Sequence, residues 1–314
     1  MKKIPLLVIV GPTASGKTAL SVELAKRFNG EIVSADSMQI YINMDIATAK
    51  PTEKEKQGIV HHLMDFLSPS EKFSVADFCA LAKNAIDDIV SRNKLPILVG
   101  GTGLYIDSLV DNVDFSPVPE DENLRAQLYA LAEEKGVDYL LGMLSEFDEE
   151  SANRLSEQKN IKRIVRSIEV YKLSGITQTQ HNLNSKLVES PYNALKIGLN
   201  AKDRQFLYDR INKRVDYMRE KGLVDEAKDF FSKANSNTSS MAIGYKELLP
   251  YFMGEKTLDD CIETLKMQTR RYAKRQLTWF LKDESINWFF IDEMDFSDII
   301  NEAEELVKKE LFNE

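Results

Sequence analysis

Cysteine and histidine are scarce in this chain of 314 residues. The two cysteines, Cys79 and Cys261, lie far apart and make no disulfide framework. Reduced thiols in the cytosol are therefore expected. The three histidines, His61, His62 and His181, have no acidic or thiol partners at ligand spacing, which argues against a Cys/His zinc site. No apolar run approaches the ~20 residues of a membrane span, so no membrane association is expected. Met1-Lys2-Lys3 and the run from Ile4 to Val10 loosely resemble a signal peptide, but the run stops at Gly11-Pro12 without a cleavage pattern. An excess of positive charge is missing too: 41 basic against 50 acidic side chains leave a net charge of −9. That excludes a bulk polyanion binder, and any contact with nucleic acid must come from a local basic surface. There is no internal repeat and no low-complexity segment.

What is present reads as an α/β protein. Leu6 to Val10 is a short apolar run bounded by Gly11, the pattern of a parallel strand buried on both faces. Thr18 to Phe28 has helical apolar spacing and stops at Asn29-Gly30. Further strands are expected at Ile32-Val33, Pro96 to Val99, Ala194 to Leu199 and Trp288 to Ile291, with a helix over Val75 to Arg92. Strands alternating with helices imply a doubly wound parallel sheet. A charged, mostly helical stretch interrupts the alternation, beginning at Pro117 and Pro119. The division expected is a catalytic core over 1–114 and 192–314, with a helical insertion over 115–191. Two or three long helices are expected from Asp203 to Lys282, and a solvated amphipathic helix after Asp298.

Gly11-Pro12-Thr13-Ala14-Ser15-Gly16-Lys17-Thr18 matches the phosphate-binding pattern G-x-x-x-x-G-K-[ST] at every fixed position. Glycines let such a loop curl until its N–H groups point at phosphate oxygens, and the following helix adds its positive end. Lys17 supplies a charge, and the Thr18 hydroxyl can hold Mg²⁺. The loop lies between an expected buried strand and a helix, the context that separates a P-loop from a chance match. It assigns a di- or triphosphate ligand but no reaction.

Other residues must decide the reaction. Asp36 follows the second strand and would face the ligand crevice at the carboxyl ends of the strands. It suits a general base or a Mg²⁺ partner, and equally a turn or N-cap aspartate. After Val99 comes Gly100-Gly101-Thr102-Gly103, without the magnesium-linked carboxylate of many P-loop hydrolases. Thr102 can donate to a ligand or simply belong to a glycine turn. Arg210 and Arg214 share one helical face and suit a diphosphate, or else pairing with Asp209 and Asp216. Lys266, Arg270 and Lys274, with Arg271 and Arg275 beside them, form the strongest basic stripe, suited to an RNA backbone or to an ordinary amphipathic helix. Tyr272 and Phe280 fall toward its apolar side.

Taken together, these segments resemble the tRNA dimethylallyltransferase family. The matching stretches are GPTASGKT (11–18), SADSMQIYINMDIATAKP (34–51), HHLMD (61–65), VGGTGLY (99–105), RQFLYDRINKRVDYM (204–218), KGLVDEA (221–227), AIGYKE (242–247) and RRYAKRQLTWF (270–280). One such match is weak, but their order from residue 11 to about 280 is specific. The resemblance implies a P-loop fold and transfer of a dimethylallyl group from dimethylallyl diphosphate to N6 of the adenosine beside the anticodon, releasing pyrophosphate. It implies Mg²⁺ as cofactor and the tRNA anticodon stem-loop as partner, the target base being extruded from its stack. Asp36 matches the family's base. Asp36, Ser37, Met38 and Gln39 match its target-nucleotide segment, and Thr102 a further contact. Arg125 and Lys162-Arg163-Ile164-Val165-Arg166 resemble its tRNA contacts. Met44, Leu104 and Tyr105 could line the space for the five-carbon tail, or else pack in the core. A monomer is expected. An isopentenyltransferase acting on free adenine nucleotides is the alternative, against which the insertion and basic helix argue. The chain departs from the family at Ile42, where a basic residue is usual, and at Asn43 and Ala47, where Gly is usual. It departs again at Ser156 to Asn160, one residue longer than the family's segment.

Overall fold

The computed structural model describes residues 3–113, 115, 120–185, 188–233 and 242–313. Met1, Lys2, Pro117 and Pro119 lie outside the described residues. The chain forms two compact units, Met1–Val110 with Pro191–Glu314, and Asp111–Ser190. No described helix is long and apolar enough to cross a membrane.

In the first unit the order is β1 (Ile4–Val10), α1 (Lys17–Arg27), β2 (Gly30–Ala35), α2 (Glu53–Lys56), β3 (His61–His62), α3 (Val75–Ser91), β4 (Leu95–Gly100) and α4 (Gly103–Val110). The second unit holds α5 (Glu122–Lys135), α6 (Val137–Ser145), α7 (Glu149–Ser156), α8 (Ile161–Ser174) and α9 (Gln178–Asn184). The first unit resumes with β5 (Tyr192–Asn200), α10 (Arg204–Glu220), α11 (Leu223–Lys233), α12 (Leu249–Phe252), α13 (Leu258–Phe280), β6 (Asn287–Phe290) and α14 (Phe296–Val307), whose last turn widens over Lys308–Phe312.

All strand pairs are parallel, in the order β3-β2-β4-β1-β5-β6. β1 and β4 run in register from Leu7 beside Ile97 to Val10 beside Gly100. The chain leaves β1 toward β2 on one side and later returns to β5 on the other. The crevice beyond the carboxyl ends of β1 and β4 is thus a topological switch point, where ligands of open α/β sheets bind.

Apolar strands fix the layers. Leu7, Ile9, Ile32, Ile97 and Ile197 are buried against Leu20 and Leu24 of α1 and Ile299, Ala303 and Val307 of α14. The C-terminal helix, expected to be solvated, therefore forms part of the main core and begins at Phe296. A second cluster joins Ile40, Tyr41 and Met44 to Val215, Leu223, Tyr245 and Leu265 from α10, α11, α13 and the segment before α12. The second unit has its own core of Leu128, Leu140, Leu144, Ile164 and Ile168.

The two-residue strand β3 was not expected. It pairs with β2 through Ile32 beside His61 and Val33 beside His62. His62 Nε2 meets Glu31 Oε2 at 2.7 Å, and His61 Nδ1 lies 2.9 Å from the Ile59 carbonyl. Glu31, almost fully buried, also pairs with Arg92 and Lys94. These histidines are structural, as their sequence setting suggested.

Candidate functional site

The loop after β1 has the backbone that its glycines permit. Gly11 adopts φ 144°, and a Cβ there would stand 2.4 Å from the Leu199 carbonyl oxygen. No other residue fits both the angle and the space. Ala14 takes the left-handed conformation (φ 64°) without that freedom. Its carbonyl accepts a hydrogen bond from Arg210 Nε at 2.8 Å.

The end of α1 facing this loop lacks compensation. Its cap, Gly16, offers no side chain, and no acidic residue stands in the first turn. By contrast, α3 begins with a reciprocal pair: Ser74 Oγ accepts from Asp77 N, and Asp77 accepts from Ser74 N. The free N–H groups of α1 are thus left for an external anion. Ser15 Oγ is buried without a hydrogen-bond partner among the described residues. Lys17 Nζ turns back to donate to the carbonyls of Gly11 (2.9 Å) and Pro12 (2.7 Å). Burial, with the charge of Arg214 added, pushes the Lys17 ammonium down to about 7, and Asp36 offsets only part of this. Burial likewise lowers the pKa of Arg214, again opposed by Asp36. Two cations crowd one carboxylate, a setting that favours an added anion.

Arg210 and Arg214 both face this loop and not the acids beside them in sequence. Asp209 accepts from Gln205 Nε2, and Asp216 pairs with Lys266. Arg210 steadies the loop from an exposed position, while Arg214 is partly buried beside Lys17.

At the end of β2, Asp36 serves as a turn residue and faces the site at once. Its Oδ1 accepts from the amides of Met38 (2.9 Å) and Gln39 (3.4 Å). Thr102, after β4, accepts from Ser37 N at 3.2 Å through Oγ1, and its amide donates to the Ala35 carbonyl. The ends of β2 and β4 are tied together, so Asp36, Ser37 and Thr102 form one rim. Gln39 Nε2 donates to the carbonyls of Thr48 and Ala49, holding the following loop. Asn43 in that loop has φ 59°, a conformation that Asn, like the Gly usual in the family there, tolerates.

Three contributors escaped the sequence reading. Gln276 of α13 is buried; its Oε1 accepts from Thr13 N at 2.8 Å and its Nε2 donates to Gly101 O at 3.0 Å. Tyr272, assigned to the apolar side, instead reaches the Thr102 and Gln276 side chains; burial and then the charge of Asp36 raise its pKa. Glu226 of α11 accepts from three successive amides, Asp45, Ile46 and Ala47, at 2.8–2.9 Å, and from the Tyr245 hydroxyl at 2.9 Å. All three lie inside segments that match the family, 221–227 and 270–280, but the match assigns them no role; α13's helical period, placing Tyr272 and Gln276 four apart, was the one further hint.

The basic stripe is rearranged. Lys266 is bound to Asp216 and Glu263, and Arg270 donates to Asn212 Oδ1 at 2.6 Å. Arg271, Lys274 and Arg275 remain exposed. Lys274 and Arg275 line a groove of about 220 Å³ with Thr278, Trp279 and Lys282. A wider concavity of about 710 Å³ beside β6 and α14 holds none of the site residues.

In the second unit, Ile164 and Val165 are core residues and have no surface to offer an RNA, which corrects the expectation for them. They fall on the apolar face of α8, while Lys162 and Arg163 are exposed. Arg125 and Arg166 both pair with the buried Glu169, and Arg125 also with Glu120, so their charges are largely committed internally. The altered segment ends in Asn160, which caps α8 by accepting from Arg163 N. Of the residues suggested for the five-carbon tail, Met44 is fully buried in the core and Tyr105 stacks on Phe78 at 4.3 Å; Leu104 is exposed.

The chain is similar to known proteins over most of its length. The IPP transferase family model matches residues 39–283, and the isopentenyl transferase model matches residues 4–72. A tRNA dimethylallyltransferase of Acetivibrio thermocellus is 51% identical over 92% of this chain and 93% of its own length. The crystal structure of the full-length tRNA isopentenylpyrophosphate transferase from Bacillus halodurans superposes with a TM-score of 0.75 at 45% identity, covering 99% of this chain and 98% of that one. A eukaryotic dimethylallyltransferase acting on tRNA gives a TM-score of 0.84 at 29% identity, covering 99% of this chain and 79% of that one.

Proposed function

This chain belongs to the IPP transferase family, whose matched members are tRNA dimethylallyltransferases, and from that premise we propose how its own residues carry out the transfer. It is an enzyme that moves a dimethylallyl group from dimethylallyl diphosphate to N6 of the adenosine beside the anticodon of tRNA and releases pyrophosphate. The observation that carries the residue assignment is the crowding of Lys17 and Arg214 beside Asp36, at an uncapped helix N-terminus. Such a place suits a diphosphate on one side and a proton acceptor on the other.

As the N6–carbon bond forms, the carbon–oxygen bond to the diphosphate breaks and its electron pair leaves on pyrophosphate. The amides from Ala14 to Thr18, with Lys17 and Arg214, stabilise that growing charge. Arg210 holds the loop in shape through Ala14. The N6 proton passes to Asp36, whose Oδ2 takes it while Oδ1 stays in the turn. Thr102, Ser37, Met38 and Gln39 orient the adenine.

The donor set also fits Mg²⁺. No group of three acidic, histidine or cysteine side chains among the described residues could hold a metal alone. One or two protein oxygens plus diphosphate oxygens are the usual arrangement for this ion. The exposed Thr18 hydroxyl would hold it, and bound there it would neutralise pyrophosphate charge. Lys162 and Arg163 on α8, and Arg271, Lys274 and Arg275 on α13, would contact the phosphates of the anticodon stem-loop. The enzyme would act as a monomer in the cytoplasm.

Mass spectrometry of unmodified tRNA incubated with the protein, Mg²⁺ and dimethylallyl diphosphate tests the reading. A dimethylallyl mass increment on the adenosine beside the anticodon is expected. Efficient prenylation of free AMP, with tRNA left unmodified, would overturn it.

A further inference from the structure

We propose that Gln276 is a positioning residue that sets the distance between the diphosphate loop and the acceptor rim. The proposal rests on the reading that the donor diphosphate sits in loop 11–18.

The two ends of its amide touch both halves of the site. Oε1 accepts from the Thr13 amide within the loop, and Nε2 donates to the Gly101 carbonyl, next to Thr102 on the acceptor side. The orientation is unambiguous, because the reverse would set donor against donor at Thr13 and acceptor against acceptor at Gly101. The space is cut to fit: a Cβ on Gly101 would stand 2.0 Å from Gln276 Nε2. A Cβ on Gly103 would stand 2.3 Å from Trp279 Cδ1. Trp279 in turn donates to Asp107 Oδ2 at 2.6 Å. Helix α13 is thereby seated on the β4–α4 connection, and Gln276 extends that seat to the phosphate loop.

The chemistry explains why such a strut matters. Alkyl transfer needs the nucleophilic nitrogen and the donor carbon at a fixed near-attack distance, and a misplacement of about 1 Å can cost about 100-fold in rate. Leaving group and acceptor are held by loops on different strands, β1 on one side and β2 with β4 on the other. Gln276 makes no bond to either reactant in this scheme. It fixes the frame in which both are held.

Gln276→Glu gives a test that a merely structural role would not pass. The protonated carboxyl keeps one donor and one acceptor in nearly the same places. Ionised, it sets oxygen against the Gly101 carbonyl oxygen. The turnover ratio of this variant to wild type should therefore rise about tenfold or more as pH falls through the introduced carboxyl's pKa. Lys17, Asp36, Arg214, Tyr272 and Arg275 are the titratable and charged groups around the site in both proteins, so the ratio removes the part of the profile that the two proteins share. Gln276→Leu, which loses both bonds, should lower kcat about 10- to 100-fold and weaken inorganic pyrophosphate binding. Its tRNA Kd should change less than twofold. A pH-independent ratio for Gln276→Glu, or wild-type kcat in Gln276→Leu, would overturn the proposal. Should Gln276→Leu fail to fold, the pH ratio alone decides. If wild-type protein binds pyrophosphate but prenylates no tRNA, the functional reading falls instead, and pyrophosphate affinity of Gln276→Glu against pH still tests the strut.

Discussion

Replacing Glu226 by alanine removes the acceptor of four hydrogen bonds at once. Three come from the consecutive amides of Asp45, Ile46 and Ala47, and one from the Tyr245 hydroxyl. Hydrogen bonds to a charged group contribute about 1.5–3 kcal/mol each, but the sum is an overestimate here. The Asp45 amide is at an exposed residue, and those of Ile46 and Ala47 are partly accessible, so water recovers much of their loss. Tyr245 is fully buried, and its hydroxyl would lose its acceptor at a cost of about 1–3 kcal/mol. A net destabilisation of about 3–4 kcal/mol follows. For units of this size that lowers Tm by about 10 °C. Thermal unfolding followed by circular dichroism reads it directly. Glu226→Gln, which keeps an acceptor oxygen but turns an NH₂ toward the amides, should fall between. The same loop receives Gln39 at Thr48 and Ala49, so KM for tRNA should rise in Glu226→Ala while KM for dimethylallyl diphosphate stays near wild type. A Glu226→Ala protein melting within about 2 °C of wild type would refute the view that this carboxylate organises the loop.

Asp36→Asn keeps the turn acceptor but not the base, so kcat should drop about 10²- to 10⁴-fold with tRNA affinity unchanged; weak binding with normal turnover would remove Asp36 from that role. Lys17 loses its proton near pH 7 in the free protein, whereas the unfolded chain keeps it to 10.5. Stability of the unliganded protein should therefore rise with pH between those values. Pyrophosphate binding at pH 8 should restore the proton, so wild type takes up about one proton more than Lys17→Met in calorimetry across two buffers; equal uptake would count against it. Arg92 first, then Lys94 and His62, hold the Glu31 carboxyl well below the usual range against the cost of burial. The stabilisation is present above the ordinary Glu value of about 4.3 and is lost as pH falls below it. Glu31→Gln should consequently flatten the acid limb of the stability profile, and an unchanged limb would show that other carboxylates govern it.

How much of this could be seen in the sequence depended on whether a residue's partners are local. The loop after β1 was legible because Gly11, Gly16, Lys17 and Thr18 stand within one turn of chain between a strand and a helix. The strands β1 and β4 were legible because their apolar runs are short, continuous and buried on both faces. The position of Asp36 followed from the strand before it, since strand ends define the crevice. Gln276 and Glu226 stand in matched segments, but their roles were not legible, because the loops they hold lie more than 170 residues away. Ile164 and Val165 were misassigned because a motif match spans consecutive residues, whereas a helix divides consecutive residues between core and solvent. The stripe on α13 failed at Lys266 for a related reason: spacing shows which residues share a face, not which acids the neighbouring helix α10 brings to it. Strand β3, two residues long, is held by its register with β2 and not by a periodic pattern of its own.

The family match ends at residue 283, yet the fold does not. Ile299, Ile300, Ala303, Val307 and Leu311 lie in the same cluster as Leu20, Leu24 and Ile197, and Phe312 stacks on Phe28 at 5.8 Å. Each fully buried aliphatic side chain there is worth about 1.5–3 kcal/mol. A fragment trimmed to the two matched models, residues 4–283, would retain every proposed catalytic group and lose the wall behind α1, whose N-terminus is the proposed diphosphate site. Expression boundaries drawn at the end of the family-model match, instead of along the full-length relatives, should thus yield an insoluble or unfolded product. A tag or fusion partner at the C-terminus would be better carried on a linker beyond Phe312 than in place of this last helix.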